Sequence, residues 1–111
     1  MPYKTPTRLR KAAYNAQHGR CCYCSKPMWL ENIKAFANTH KYSLAQARWL
    51  QCTAEHLHAR SNGGADSAGN IAAACLFCNL KRHRQKDPLP PEQYRQYVGE
   101  RITKGAWHCF K

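Results

Sequence analysis

Two pairs of cysteines, Cys21-x-x-Cys24 and Cys75-x-x-Cys78, carry the most specific chemistry in the chain. A tetrahedral zinc ion takes four thiolates at about 2.3 Å, and each C-x-x-C turn supplies two of them. Fifty residues, 25 to 74, separate the hooks. That is more than the roughly 15–20 of a simple zinc ribbon, so a structural insertion has to lie between them. The competing readings are reduced core cysteines or a redox pair, and Cys22 offers a shifted register with a poorer Cys22-x-Cys24 chelate. Cys52 and Cys109 read as buried or incidental thiols. Seven cysteines, an odd and high count, fit metal ligation in a reducing compartment better than a disulfide framework.

The elements that must hold these hooks follow from local signals. Thr7 can cap a first helix through about His18, ended by Gly19, with Leu9, Ala12, Ala13 and Ala16 on one stripe. The segment CCYCSKPM reads as a tight turn. Residues 29 to 50 have helical spacing in two pieces and form the helical insertion between the hooks; the second piece opens with Ser43 and Gln46 as a capping box and carries Leu44, Ala47 and Leu50. Short strands are expected over Thr53 to His58 and Asn70 to Ala74, around a loop of composition ARSNGGADSAG. A helix follows from Cys75 to about Arg84. Pro91 suits the first turn of a last helix through about Thr103, where Tyr94, Tyr97, Val98 and Ile102 share a face. The 111 residues form one domain, with no internal repeat.

The run Glu55-His56-Leu57-His58-Ala59-Arg60-Ser61-Asn62-Gly63-Gly64, then Asn70-Ile71-Ala72-Ala73-Ala74-Cys75-Leu76-Phe77-Cys78-Asn79, resembles the HNH endonuclease motif. With the first hook the resemblance covers residues 21 to 83. It implies an α+β fold: a small ββα-metal (HNH, or His-Me finger) core of two antiparallel strands and a helix around one divalent cation, braced by the four-cysteine zinc site and flanked by further helices. It also implies the site. Hydrolysing a phosphodiester needs an activated water and compensation of the charge developing on the phosphoryl oxygens. His56, a side chain that titrates near neutral pH, would take the proton from water. Glu55 would bind the divalent metal, with Asn79 as second ligand and His83, one turn on at i+4, as third. Adjacent strand residues point to opposite faces, so a bulge or strand end is expected to let Glu55 and His56 both reach the site. Asn70 would hold the catalytic loop by backbone hydrogen bonds. The family more often has Asp at the position of Glu55, Pro at that of Ala59 and an aliphatic residue at that of His58; the longer side chain moves the carboxylate by roughly 1.5 Å. The catalytic ion is expected to be Mg²⁺ or Mn²⁺, with Ni²⁺ or Zn²⁺ admitted by an imidazole ligand.

Charge supplies the partner. Eighteen Lys+Arg against six Asp+Glu give a formal net charge of +12, which points to nucleic acid. Lys81, Arg82, Arg84 and Lys86 cluster around the metal-site helix, Arg8, Arg10, Lys11 and Arg20 crowd the first helix, and Arg60 lies in the motif loop. Double-stranded DNA, contacted mainly along its backbone, is the expected ligand, with a homodimer or a targeting protein as a further partner. Trp29, Trp49 and Trp107 read as core residues rather than base-stacking ones, and His58 as packing or surface. A zinc-braced module that binds nucleic acid without cutting it is the competing function; a purely structural zinc protein leaves the charge unexplained. No run of residues approaches a membrane span, and the opening MPYKTPTRLRK lacks a signal peptide's apolar segment. A cytoplasmic protein of a prokaryotic or phage setting is expected.

Overall fold

A computed structural model describes residues 7–58 and 63–108; Arg60 and Cys109 lie outside them. The order of elements is α1 (Thr7–Ala16), α2 (Ile33–His40), α3 (Leu44–Arg48), β1 (Cys52–His56), β2 (Ile71–Cys75), α4 (Leu76–His83) and α5 (Pro91–Thr103). This is the α+β architecture of a small ββα core with flanking helices and a cysteine cluster.

β1 and β2 pair antiparallel in an unbroken register from Cys52↔Cys75 to His56↔Ile71. Both strands are offset from their sequence expectation. β1 stops at His56 because the next ladder bond, Leu57 N–H to Asn70 C=O (2.9 Å), closes the hairpin where the Asn70 side chain is already committed to the loop. β2 runs on to Cys75, whose side chain accepts from the Cys78 N–H (3.4 Å) and so caps α4. The second hook is therefore the joint between strand and helix.

The first hook sits in a knuckle. His18, Gly19 and Ser25 have positive φ of 56°, 74° and 64°, and Cys21 N–H bonds Lys26 C=O at 2.9 Å, which folds residues 21–26 into a tight turn. α1 ends earlier than expected, at Ala16. Its buried side is narrower than the expected stripe: Leu9, Ala13 and Tyr14 are partly buried, whereas Ala12 and Ala16 are exposed. Gln17, just beyond α1, accepts from Ala73 N–H and donates to Ala73 C=O, both at 2.8 Å, tying the helix to β2.

The insertion holds α2, capped by Asn32 accepting from Ala35 N–H, and α3, where Ser43 and Gln46 complete a reciprocal capping box (3.0 and 2.9 Å). It returns the chain to the sheet through Cys52 N–H to Trp29 C=O at 2.9 Å. The core gathers Tyr23, Met28, Leu50, Cys52, Ala73, Ala74, Tyr94 and Val98 around the four hook cysteines, with Trp29 and Trp107 packed partly buried against it; Trp49, also partly buried, meets Phe77 edge to face at 5.7 Å. On α5 only Tyr94 and Val98 are buried; Tyr97 and Ile102 are 43% and 42% exposed. A helix resting on a small core buries one i, i+4 line, not the four-residue face read from the sequence.

Candidate functional site

The Sγ atoms of Cys21, Cys24, Cys75 and Cys78 lie within 4.8 Å of one another. Cys24 Sγ and Cys75 Sγ are 3.8 Å apart, and tetrahedral zinc with bonds of about 2.3 Å requires sulfur separations of about 3.8 Å. The four thiols are placed for zinc and their chemistry fits it. N–H groups surround them: Tyr23 N–H and Cys75 N–H point at Cys21 Sγ (3.4 and 3.3 Å). Two more contacts come from the segment after α5, Trp107 Nε1–H to Cys78 Sγ and His108 Nε2 to Cys24 Sγ, each 3.3 Å. Such donors disperse the negative charge of a tetrathiolate. Hydrogen bonds from Cys22, then Cys24, Cys75 and Cys78, hold the Cys21 thiol well below its ordinary range. At Cys24 the bond with Cys21 raises the value but is outweighed by those with Cys75, Cys78 and His108, leaving it lowered to about 6. Cys22 stands outside the cluster, its thiol pushed up by its bond with Cys21 and by burial. Cys52 is fully buried, and burial raises it to about 11.

The hairpin site is built from β1, α4 and the loop between the strands. His56, at the last position of β1, donates from Nε2 to Asp66 Oδ1 at 2.6 Å, and both side chains are nearly buried (12% and 6% exposed). Asp66 is a residue that the sequence reading misses. A signal existed, because it is one of six acidic residues in the chain and falls within the motif loop. Asn70 accepts from His58 N–H (2.8 Å) and donates to His58 C=O (3.0 Å) and Ala65 C=O (2.9 Å), clamping the two sides of that loop. His58 itself is exposed.

Glu55 goes elsewhere. The register shows no bulge at Glu55↔Ala72 and His56↔Ile71, so strand alternation separates the two side chains. Glu55 is fully buried. Its Oε2 accepts from Tyr23 Oη–H (2.8 Å) and Arg82 Nη1–H (2.9 Å), and its Oε1 lies 2.6 Å from His83 Nε2. Burial, then the Glu55 charge, pushes the Tyr23 hydroxyl well up, so it remains a donor. Of the three expected metal ligands, then, the fold brings two together. Glu55 Oε1 and His83 Nε2 form an adjacent oxygen–nitrogen pair, with the His83 side chain 30% exposed. That pair suits a divalent ion that keeps several waters. Asn79 is turned to β1, its Nδ2 donating to Thr53 Oγ1 (2.9 Å) and Ala54 C=O (3.2 Å), where it fastens α4 to the strand.

The basic residues divide as well. Lys81, Arg84 and Lys86 on the α4 side and Arg8, Lys11 and Arg20 on the α1 side are exposed. Arg82 corrects the expectation of a phosphate contact: it is 3% exposed, and its guanidinium is committed to Glu55 and to the carbonyls of His56, Leu57 and Leu89. It lies four residues after buried Cys78, on the inward line of α4. Arg10 is half-buried in a shallow cleft with Thr7 and residues 51–54.

Among the described residues no helix is long and apolar enough to cross a membrane. No curated protein and no solved structure matches the chain. The family described as HNH endonuclease matches residues 21–85, more than half of the sequence and the whole span from the first hook to the end of α4. A cluster of four cysteines joining two hooks across a ββα hairpin, together with that match, makes the chain a member of the HNH endonuclease family.

Proposed function

We propose that the protein is a divalent-metal-dependent endonuclease that hydrolyses phosphodiester bonds of double-stranded DNA, with His56 as general base. The observation that carries this reading is the His56–Asp66 pair at 2.6 Å, held at the end of β1 beneath a loop clamped by Asn70. A carboxylate on one ring nitrogen fixes the tautomer, makes the other nitrogen the proton acceptor and steadies the imidazolium that forms. Asp66 and Asn70 are positioning residues; His56 moves the proton. Glu55 and His83 would hold the cation, which when bound supplies positive charge against the phosphoryl oxygens of the transition state. Arg82 keeps the Glu55 carboxylate oriented. The exposed lysines and arginines hold the DNA backbone.

The competing reading, a module that binds without cutting, is favoured by two observations: Tyr23, Arg82 and His83 already surround the Glu55 carboxylate, and the unbroken register directs Glu55 and His56 to opposite faces of β1. The experiment that separates them incubates the protein and His56→Ala with supercoiled plasmid plus Mg²⁺, Mn²⁺, Ni²⁺ or EDTA and follows nicked and linear forms. Metal-dependent cutting lost in the variant is expected. Tight, salt-sensitive binding with no cutting under any metal leaves the binder.

A further inference from the structure

Between α4 and α5 the surface opens into a cleft of about 480 Å³, within the roughly 300–1,000 Å³ range of small-ligand sites. One wall is aromatic. Tyr97 and Trp107 meet edge to face with centroids 5.9 Å apart, and Tyr94 lies behind Tyr97 at 6.2 Å in a nearly parallel stack. Tyr94 is buried and belongs to the core, but Tyr97 is 43% exposed, a large ring presented to the cleft. The rim is cationic. Lys81, whose ammonium lies 5.5 Å from the centre of the Phe77 ring, lines the cleft from α4, and Arg101 lines it from α5. Gln85 and Asp87 add an amide and a carboxylate to the lining, groups able to meet the donors and acceptors of a base edge.

We propose that this cleft binds one nucleotide of an unpaired strand, its base stacked on Tyr97 and its phosphate held by Arg101 and Lys81. Exposed aromatic faces beside cations are how single strands are held without sequence readout. A ligand that is only anionic would use the rim and leave the ring wall idle. The cleft also adjoins the hairpin site: Arg82 lines it while its Nη1 donates to Glu55. A strand frayed open beside the scissile duplex thus has a place to lodge one side chain away from the hairpin. The proposal rests on the nucleic-acid reading above and goes beyond it, because phosphate contacts alone ask for no ring.

The test measures fluorescence anisotropy of labelled oligothymidylate, an abasic strand of the same length and charge, oligouridylate, and a duplex. The parent is expected to hold oligothymidylate more tightly than the abasic strand. Tyr97→Ala should weaken oligothymidylate binding about tenfold, in line with loss of one stacked base, and leave the abasic strand unchanged. Tyr97→Phe, which keeps the ring, should bind as the parent does, and this holds the test open should the alanine variant melt early. Arg101→Gln should weaken both strands. Oligouridylate binding equal to oligothymidylate assigns the cleft to unpaired strands of either sugar; weaker binding assigns it to DNA. Equal binding of base-bearing and abasic strands by the parent overturns the proposal, as does a folded Tyr97→Ala that keeps the parent's affinity. Those results with His56-dependent plasmid cutting intact overturn the cleft alone, whereas no binding to any nucleic acid overturns both readings.

Discussion

Arg82→Met tests the central electrostatic claim, because methionine keeps much of the apolar stem and deletes the guanidinium. Arg82 and Glu55 are 3% and 0% exposed, and their 2.9 Å contact is the strongest charge neutralisation available to that carboxylate. Removing one partner of a buried ion pair costs about 3–5 kcal/mol, because the remaining charge has no water to turn to. Two features place the loss toward the lower end. Tyr23 and His83 still contact the carboxylate (2.8 and 2.6 Å), and Leu89, whose carbonyl Arg82 also bonds, is 42% exposed and open to solvent. The expected loss is therefore about 3 kcal/mol, equivalent to roughly 12–24 °C in Tm for a domain of this size. Urea unfolding followed by far-UV circular dichroism, at one fixed free zinc concentration because bound metal adds its own stabilisation, measures it directly. Glu55→Gln in the same background should recover part of the loss, with a coupling of at least about 0.5 kcal/mol. A loss below about 1 kcal/mol, with no coupling to Glu55, would refute the picture of a buried carboxylate held by one cation.

Cys78→Ser should lose zinc and helical structure together, since a structural zinc supplies folding free energy that a small core cannot replace, while His56→Ala stays folded and zinc-loaded with a lowered Tm, because it takes a partner from the nearly buried Asp66 carboxylate; parallel thermal melts with zinc analysis decide it. Asp66→Asn should cut plasmid about 10²–10⁴-fold more slowly with binding retained, as the wrong histidine tautomer is then favoured; single-turnover assays above the Kd read it, and parental rates would remove Asp66 from the proton relay. Trp107→Phe keeps the ring and removes the 3.3 Å contact to Cys78 Sγ, so zinc should pass to a competing chelator about tenfold more readily, which a colorimetric chelator titration shows. Duplex binding should weaken with salt at a log–log slope near −5, about six phosphates' worth, and a slope near zero in the titration would deny the backbone contacts.

What the sequence made legible was whatever is decided over a few residues. C-x-x-C spacing fixes a chelate, and Ser43 with Gln46 fixes a helix start, so the hooks, the insertion and its capping box could all be read. Which way a side chain faces is decided by the whole fold. Arg82 reads as one more base in the run from Lys81 to Lys86, and only its i+4 relation to Cys78 hints that it turns inward to Glu55. Asp66 reaches His56 from ten positions along the chain, across a glycine-containing loop, a distance over which composition carries no direction. Asn79 is turned toward Thr53 by the packing of α4 on β1, which no local pattern encodes. The bulge expected at Glu55 and His56 follows from a functional need alone, and the ladder runs through those residues unbroken.

A sheet of only two strands has two open sides, and each is an invitation to a strand from another molecule. In this hairpin those sides are occupied from within. On β2 the Gln17 amide makes both bonds to Ala73 that a third strand would make, and Cys75 N–H is turned to the Cys21 sulfur. On β1 the Cys52 N–H is taken by Trp29, and the carbonyls of Ala54 and His56 by Asn79 and Arg82. The side chains that assemble the site therefore also deny the sheet to intermolecular pairing, and a substitution at Gln17, Asn79 or Arg82 exposes a template for aggregation along with whatever it does to the chemistry.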